Sequence, residues 1–525
     1  MRKISTFFLI LIAGQINLCA ATYTVGSGKT YATIGAVPVL AAGDVVEIYA
    51  GTYTEYKKWT VSGTAGSPIT IKGMGTTKPI IDGTGLDLLG VGAVPRALFQ
   101  FEGSYYVVDN LEFKKADNTT SHNGAGIRIS GGNNITVRNC KITTCENGIM
   151  SDNCSNIVME YSELSDNGSP DYPGYTHNTY FGGTSITVRY CYIHDSVSGQ
   201  NLKTRAHYNE ILYNYIADAN SGEVDMMEAA GFTDVANSNS VLIGNVIIKR
   251  DAAPKSGVSG NNTKYITFGQ DSGGTRTGTL YMINNTIISG MTSNIPIALS
   301  STTKAVCYNN IFYGTDTLLK DAYTISNTTG ANNWLPATAT VPTGFTFNVQ
   351  GVAPGFIQVG ARDYHLDLSA ICINAGNNSP EYKDGSGVTH SAIPTLQYVN
   401  HLSCVTRASD TQLDIGAFEY GSGSTGGGSS TDPFVNTKAY PNPLRLSNST
   451  DKMFKLINLP AGSTIDIYDM SGSKIRSLRE VDYGYGRILW DGKNANSEYA
   501  CAGIYPFVIT DTLGNKKKGK LAFLK

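Results

Sequence analysis

Charge of either sign is scarce. Acidic and basic residues make up 16% of the chain and nearly cancel, leaving a net charge of −2, which supplies no field to attract nucleic acid or an anionic membrane. Beyond the first 21 residues no stretch approaches the ~20 consecutive apolar residues of a membrane span. The nine cysteines form no C-x-x-C pair and the seven histidines no clustered run, so no spacing argues for zinc. Cys372 and Cys404 remain candidates for a disulfide.

What the chain does have is glycine, at 58 of 525 residues, against roughly 7% in an average protein. Asn and Thr are also plentiful, as a fold of tight turns requires. Between residues 133 and 312 one pattern returns seven times: alternating apolar residues, a small polar residue, then another apolar position. The copies are Ile135-Thr-Val137 to Cys140-Lys-Ile142, Ile157 to Ser162-Glu-Leu164, Ile186-Thr-Val188 to Cys191-Tyr-Ile193, Ile211 to Asn214-Tyr-Ile216, Leu242 to Asn245-Val-Ile247, Leu280 to Asn285-Thr-Ile287 and Cys307 to Asn310-Ile-Phe312. The steps between their small residues are 22, 29, 23, 31, 40 and 25, a solenoid period with insertions. Each copy alternates with period two and carries β-branched residues. None holds a ten-residue helical pattern, which disfavours leucine-rich and helical repeats. An antiparallel sandwich would not keep one residue class at one phase. Stacked coils of parallel strands are expected, with the Asn side chains hydrogen-bonded along the stack. The pattern resembles the right-handed parallel β-helix of pectate-lyase-like proteins.

Residues 1–21 read as a secretory signal, with Arg2 and Lys3, an apolar run at 7–13 and Cys19-Ala20-Ala21 for cleavage. Leu18 stands where a lipoprotein signal needs a small residue. Residues 22–420 are expected to form the β-helix, its first coil covered by a short amphipathic helix at 33–41, because an open stack exposes strand edges. The runs 362–366, 373–376 and 414–420 resemble closing turns of secreted β-helix proteins. Residues 421–433 read as a Gly/Ser linker. Residues 434–525, with Ala439-Tyr-Pro-Asn-Pro443, Trp490-Asp-Gly492 and Gly503-Ile-Tyr505, read as alternating strands of a small antiparallel β-sandwich. They lack the Trp or Tyr platform of a carbohydrate-binding module. The module resembles the immunoglobulin-like C-terminal unit related to the flagellar hook-capping protein and to sorting domains of type IX secretion. That resemblance implies a secretion or cell-surface anchoring system as partner. A secreted or cell-surface monomer is expected.

The outer faces of such a core must carry function. The densest polar set comprises Asp166, Asp171, His177, Asn178, Tyr180, His194, Asp195, Gln200, Asn201, Lys203, Arg205, Glu223, Asp225 and Glu228. If Thr179, Leu202 and Val224 point inward, alternation turns Asn178, Tyr180, Asn201, Lys203, Glu223 and Asp225 outward. Charged residues at such spacing are ordinarily solvated surface; three contributing coils and two nearby histidines raise the odds of a site. The chemistry that fits is β-elimination on a uronate polysaccharide. Lys203 would be the base if like-charge repulsion from Arg205 favours its neutral form. Arg205 would grip the substrate carboxylate, and His177 or His194 would protonate the leaving oxygen. Asn178, Tyr180, Asn201 and His194 would contact the sugar. Glu223, Asp225 and Glu228 would hold Ca²⁺. Two other classes stay open: a glycoside hydrolase using a carboxylate pair from Asp166, Asp171, Asp195, Asp225 and Glu228, and a noncatalytic adhesion or binding protein. His194-Asp195 followed by Gln200-Asn-Leu-Lys203-Thr-Arg205-Ala206 resembles a Gly-His-x-x-Lys-Ser-Arg-Ala motif of secreted bacterial β-helix proteins, with Gln200 and Thr204 in place of His and Ser.

Limited proteolysis is expected to cut between Tyr420 and Pro433 and release two folded pieces. A resistant linker, or a tail that unfolds on cleavage, would contradict this division.

Overall fold

The computed structural model describes residues 20–525 except 250–263, 272, 291–292, 409–411, 422–433, 435–436, 441, 446–452, 458, 460–462, 481–487, 497, 512–513 and 525. The expected signal (but for its last two residues) and the expected linker (but for its first) lie outside the described residues.

The described residues between 22 and 351 wind as a parallel β-helix of three ladders. The first runs from Lys57–Trp59 through Ala97–Phe101, Ala125–Ser130 and Asn147–Asp152, then the leading halves of Thr179–Arg189 and Leu202–Leu212, to Val224–Met226, Lys264–Phe268 and Ile295–Leu299. The second begins at Thr22–Val25 and merges with the first into one 20-stranded sheet. The third is a separate sheet of 12 strands, from Thr52–Tyr53 to Val349–Gly351. Inward residues such as Ile127, Ile149, Phe181, Leu202 and Val224 are completely buried and form one continuous core. Alternation places every second residue in that core, because successive strand side chains leave opposite faces.

The corner between second and third ladders explains the repeat. Asn110, Asn139, Tyr161, Tyr190, Tyr213, Asn284, Asn309 and Asn332 adopt positive φ there, between 48° and 59°, a left-handed turn that Asn tolerates best. The three tyrosines offset this with stacking: ring centroids are 4.8 Å apart for Tyr161–Tyr190 and 6.0 Å for Tyr190–Tyr213. The next residue in each coil is the small polar one, except in the earliest, where Leu111 follows Asn110. The Asn245 amide donates to the Ile211 carbonyl at 2.8 Å and to Asn285 Oδ1 at 2.9 Å, while its own Oδ1 accepts from the Asn214 backbone N–H at 2.9 Å. Asn214, Asn285 and Asn310 repeat this arrangement, and Asn333 extends it one coil past the last copy.

The first coil is covered, but not by a helix. Residues 33–41 are irregular turns, since Gly35 and Pro38 break helical hydrogen bonding. Ile34, Val37 and Leu40 still bury, and the Glu55 carboxylate accepts from Ile34 N at 2.9 Å and Gly35 N at 2.7 Å. Beyond the last coil, hairpins at Phe356–Leu366, Glu381–Ser391 and Leu396–Thr406 lie against the ladders' outside. Cys372 and Cys404 are both free thiols, in separate apolar clusters. Among the described tail residues, a three-stranded and a five-stranded sheet share a core around Trp490, Phe454 and Phe523, a small β-sandwich. No helix among the described residues is long and apolar enough to cross a membrane.

Asn245→Leu is expected to destabilise the protein by about 2–6 kcal/mol, because two buried groups, Asn214 N–H and the Ile211 carbonyl, lose partners at about 1–3 kcal/mol each. Denaturant unfolding measures it; a neutral change would remove the ladder's energetic role.

Candidate functional site

The first ladder's register aligns Gln100, Arg128, Met150, Tyr180, Lys203, Asp225 and Thr267 in one outward row. Two residues along, Arg205 points the same way, opposite Gly182, which has no side chain to crowd it. Both cations meet on one carboxylate. Lys203 Nζ lies 2.8 Å from Asp271 Oδ2 and an Arg205 terminal nitrogen 2.7 Å from Asp271 Oδ1. Burial works to raise the Asp271 carboxyl, but hydrogen bonds and charge from Lys203 and Arg205 outweigh it and hold it low. Arg205 Nε donates to the Tyr180 hydroxyl at 2.8 Å, and another nitrogen donates to the Glu228 carbonyl at 2.5 Å. Glu228 in turn accepts from Asp271 N–H at 2.8 Å, fixing the segment that carries Asp271. Behind the site the buried Arg276 donates to the carbonyls of Ala206 and Met227 at 3.1 and 3.0 Å, tying adjacent coils together.

Asp271 has no counterpart in the sequence reading. It falls in the 40-residue step between Asn245 and Asn285, where the insertion erases the phase that located Lys203. Its one sequence signal is a glycine-rich run, Gly269 to Gly278, directly after the strand Lys264–Phe268.

Several expected site residues lie elsewhere. Asn178, Asn201 and Glu223 are completely buried rather than outward. Each precedes its strand by one residue and so occupies the corner, where alternation does not apply. There they build a second polar ladder: Asn167 donates to Asn178 Oδ1 at 2.8 Å, Asn178 to Asn201 Oδ1 at 2.8 Å, and Asn201 to Glu223 Oε2 at 2.7 Å. His177 is 2% exposed, stacks on Tyr180, and accepts from Gln200 N–H at Nδ1. Burial, then the charges of Lys203 and Arg205, push its pKa well below the ordinary value, which favours the uncharged imidazole over the imidazolium acid. The carboxylates expected to hold Ca²⁺ do not fit that ion. Glu223 belongs to the buried ladder. Glu228 takes backbone N–H groups, and Asp225 accepts from Gln200 Nε2 at 2.7 Å. Among the described residues no three His, Cys, Asp or Glu side chains converge as a metal ligand set, whereas Ca²⁺ takes six to eight oxygens. Asp225 Oδ1 is buried without a hydrogen-bond partner, and burial raises that carboxyl.

His194 is on the third ladder, away from Lys203. It stacks on Tyr192, with Nδ1 2.7 Å from Asp195 Oδ2 and Nε2 3.8 Å from Glu163. Glu163 also meets Lys141 at 3.0 Å and His401, from the hairpin Leu396–Thr406, at 3.1 Å. Of the acids considered for hydrolysis, Asp166 sits exposed at positive φ and Asp171 lines a separate cavity of about 650 Å³. That cavity shares no lining residue with the Lys203 site. Within it the Glu146 carboxylate holds the loops together, accepting from Asn118 N, Gly124 N and His122 Nδ1; burial pushes it up to about 7.

By its ladders and corners the repeat domain is a right-handed parallel β-helix. The family model for the right-handed β-helix region matches residues 98–247. Among solved structures the chain is similar to pectate lyase Pel9A, at 16% identity over 76% of this chain and 96% of that one, TM-score 0.47. It is also similar to an alginate lyase from Paenibacillus sp., at 14% identity over 59% and 99%, TM-score 0.36. Part of it is similar to PorZ, a surface component of the type IX secretion system of Porphyromonas gingivalis, at 22% identity over 19% and 13%, TM-score 0.17. At these identities and scores the likenesses carry nothing about chemistry. No curated protein matches the chain.

The Glu163 cluster is expected to make hairpin attachment pH-dependent. Burial opposes the charged form of Glu163, yet His194, His401 and Lys141 hold its carboxyl well below the ordinary 4.5. This stabilisation is present above that value and lost as pH falls toward the folded one. Burial also opposes charged His194, but Asp195 and Glu163 raise it above 6.5, so its contribution is full below 6.5 and lost as pH rises through the raised value. Hydrogen exchange at residues 396–406, corrected for intrinsic rates, is therefore expected to be slowest between pH 4.5 and 6.5. Glu163→Gln should abolish the acid limb; protection in the wild type that stays flat across this range would contradict the clamp.

Proposed function

We propose that the chain is a lyase acting on an acidic, uronate-containing polysaccharide, with Lys203 as base and Arg205 as carboxylate ligand. The observation that supports this most is the carboxylate already held between them: Asp271 occupies a fork of two cations on the outer face of the sheet. A group that binds one carboxylate in this geometry binds another of the same shape.

The sugar carboxylate takes Asp271's place on the Arg205 terminal nitrogen. Lys203, freed from its ion pair with Asp271, is left as the base beside the reacting carbon. Its Nζ removes the proton from the carbon bearing the carboxylate. The electron pair left behind forms a carbon–carbon double bond as the glycosidic carbon–oxygen bond breaks. Arg205 stabilises the enolate that develops between these events. Tyr180, whose oxygen is held by Arg205 Nε, keeps its own proton free and gives it to the leaving oxygen. Tyr180 thus takes the acid role that His177, buried and neutral, does not fill.

A screen of acidic polysaccharides for unsaturated uronate products tests the reading. Lys203→Ala should lower turnover by about 10²–10⁴ with the fold intact, and Arg205→Lys should also fail, because a point charge does not replace a planar fork. Wild-type turnover in both variants would put the site elsewhere. New reducing ends without unsaturation would mark a hydrolase, and no reaction on any uronate polymer would leave an adhesion or binding protein.

A further inference from the structure

The row that carries Lys203 has a second cationic station on the same face. Arg128 stands in register with Met150, Met150 with Tyr180, and Tyr180 with Lys203. At about 4.8 Å per coil these three steps separate Arg128 from Lys203 by about 14 Å, a span of several sugar units. Around Arg128 lies a groove of about 290 Å³ whose lining includes Lys58, Arg96, Gln100, Ser130 and Asp152. Three cations here face two carboxylates, Asp152 and Glu102.

This station is built as the first one is. Arg128 donates to Asp152 Oδ2 at 2.6 Å, and while Arg128's side chain is only 11% exposed, that of Asp152 is 42% exposed and free to yield to a competing anion. Arg96 is exposed and lies flat over Gly90, where a Cβ would overlap its side chain and where φ is +70°. Gln100 accepts from Arg96 N at 3.0 Å and donates to Glu102 at 2.8 Å, holding that strand's edge in place. Between the stations the outward residues of the row are the uncharged Met150 and Tyr180; two positions along, Gly182 follows Tyr180 and the partly exposed Asp152 follows Met150.

We propose that Arg128 and Arg96, with Lys58, form a distal subsite for a second carboxylate of the same acidic polysaccharide, which lies along the helix axis over Met150 and Tyr180. The inference rests on the reading of Lys203 and Arg205 as a carboxylate site. It adds a requirement that site alone does not impose: affinity must rise once the chain is long enough to reach both stations.

Calorimetric binding of alginate, polygalacturonate and hyaluronate fragments, as disaccharides and as decasaccharides, tests it on the full chain, with thermal melting to confirm folding. The wild type is expected to bind decasaccharides of at least one polymer more tightly than its disaccharides. Arg128→Gln with Arg96→Gln should weaken the decasaccharide about tenfold, the equivalent of one charge-assisted contact. Arg96→Gln alone, on an exposed side chain that folding does not need, should remove part of the gain. If the wild type binds both lengths equally, or if neither variant changes the length dependence, the distal subsite is overturned while the Lys203 reading stands. If no acidic fragment of either length binds, both fall.

Discussion

The corner amide is the constraint on which the molecule depends. A parallel coil turns sharply between its second and third ladders, and the turn leaves backbone N–H and carbonyl groups inside, away from water. Each corner Asn meets this by accepting from and donating to the backbone of the preceding coil while donating to the side chain of the next, as Asn245 does with Asn214 N–H, the Ile211 carbonyl and Asn285 Oδ1. A coil that slipped by one residue would bury apolar atoms against those groups and turn its whole inward set outward. The corner therefore locks the phase of every strand, and with it the outward row from Gln100 to Thr267. Functional side chains stay aligned across coils because a structural residue on another edge of the prism holds the register.

On that row electrostatics decides what the surface does. Two cations side by side repel, and the described structure resolves this with Asp271, held below its ordinary range by Lys203 and Arg205 against the cost of its burial. The same arrangement recurs at Arg128 with Asp152. On the proposed reading, both are cationic stations closed by a carboxylate whose place a polyanion's own carboxylates would take. His177, Asn178, Asn201 and Glu223 serve this face from behind: they hold the corner from which the Tyr180 and Lys203 strands emerge.

The fold was legible because its repeat is periodic in both hydrophobicity and polarity. Cys140, Ser162, Cys191 and the asparagines keep one phase through insertions of very different length. Asn333 escaped because its coil lacks the flanking pattern. The expected helix at 33–41 failed on two residues, Gly35 and Pro38. Within the site, alternation located Tyr180, Lys203 and Arg205, which lie inside strands. It failed at Asn178, Asn201 and Glu223, which lie one residue before them, where the chain is bending. His194 was close in sequence but on another ladder, since one coil visits three faces in about twenty residues. Asp271 was invisible because position within a repeat locates a residue only while the repeat is regular.

On the proposed reading, Lys203 and Arg205 form a carboxylate site in which Asp271 stands where a sugar acid binds. A crystal structure of the protein soaked with an acidic oligosaccharide tests this directly. The predicted result is a sugar carboxylate on the Arg205 guanidinium, with Asp271 displaced and Lys203 Nζ facing the adjacent ring carbon. An oligosaccharide bound elsewhere on the helix, with the Lys203–Asp271–Arg205 bridge undisturbed, would contradict it.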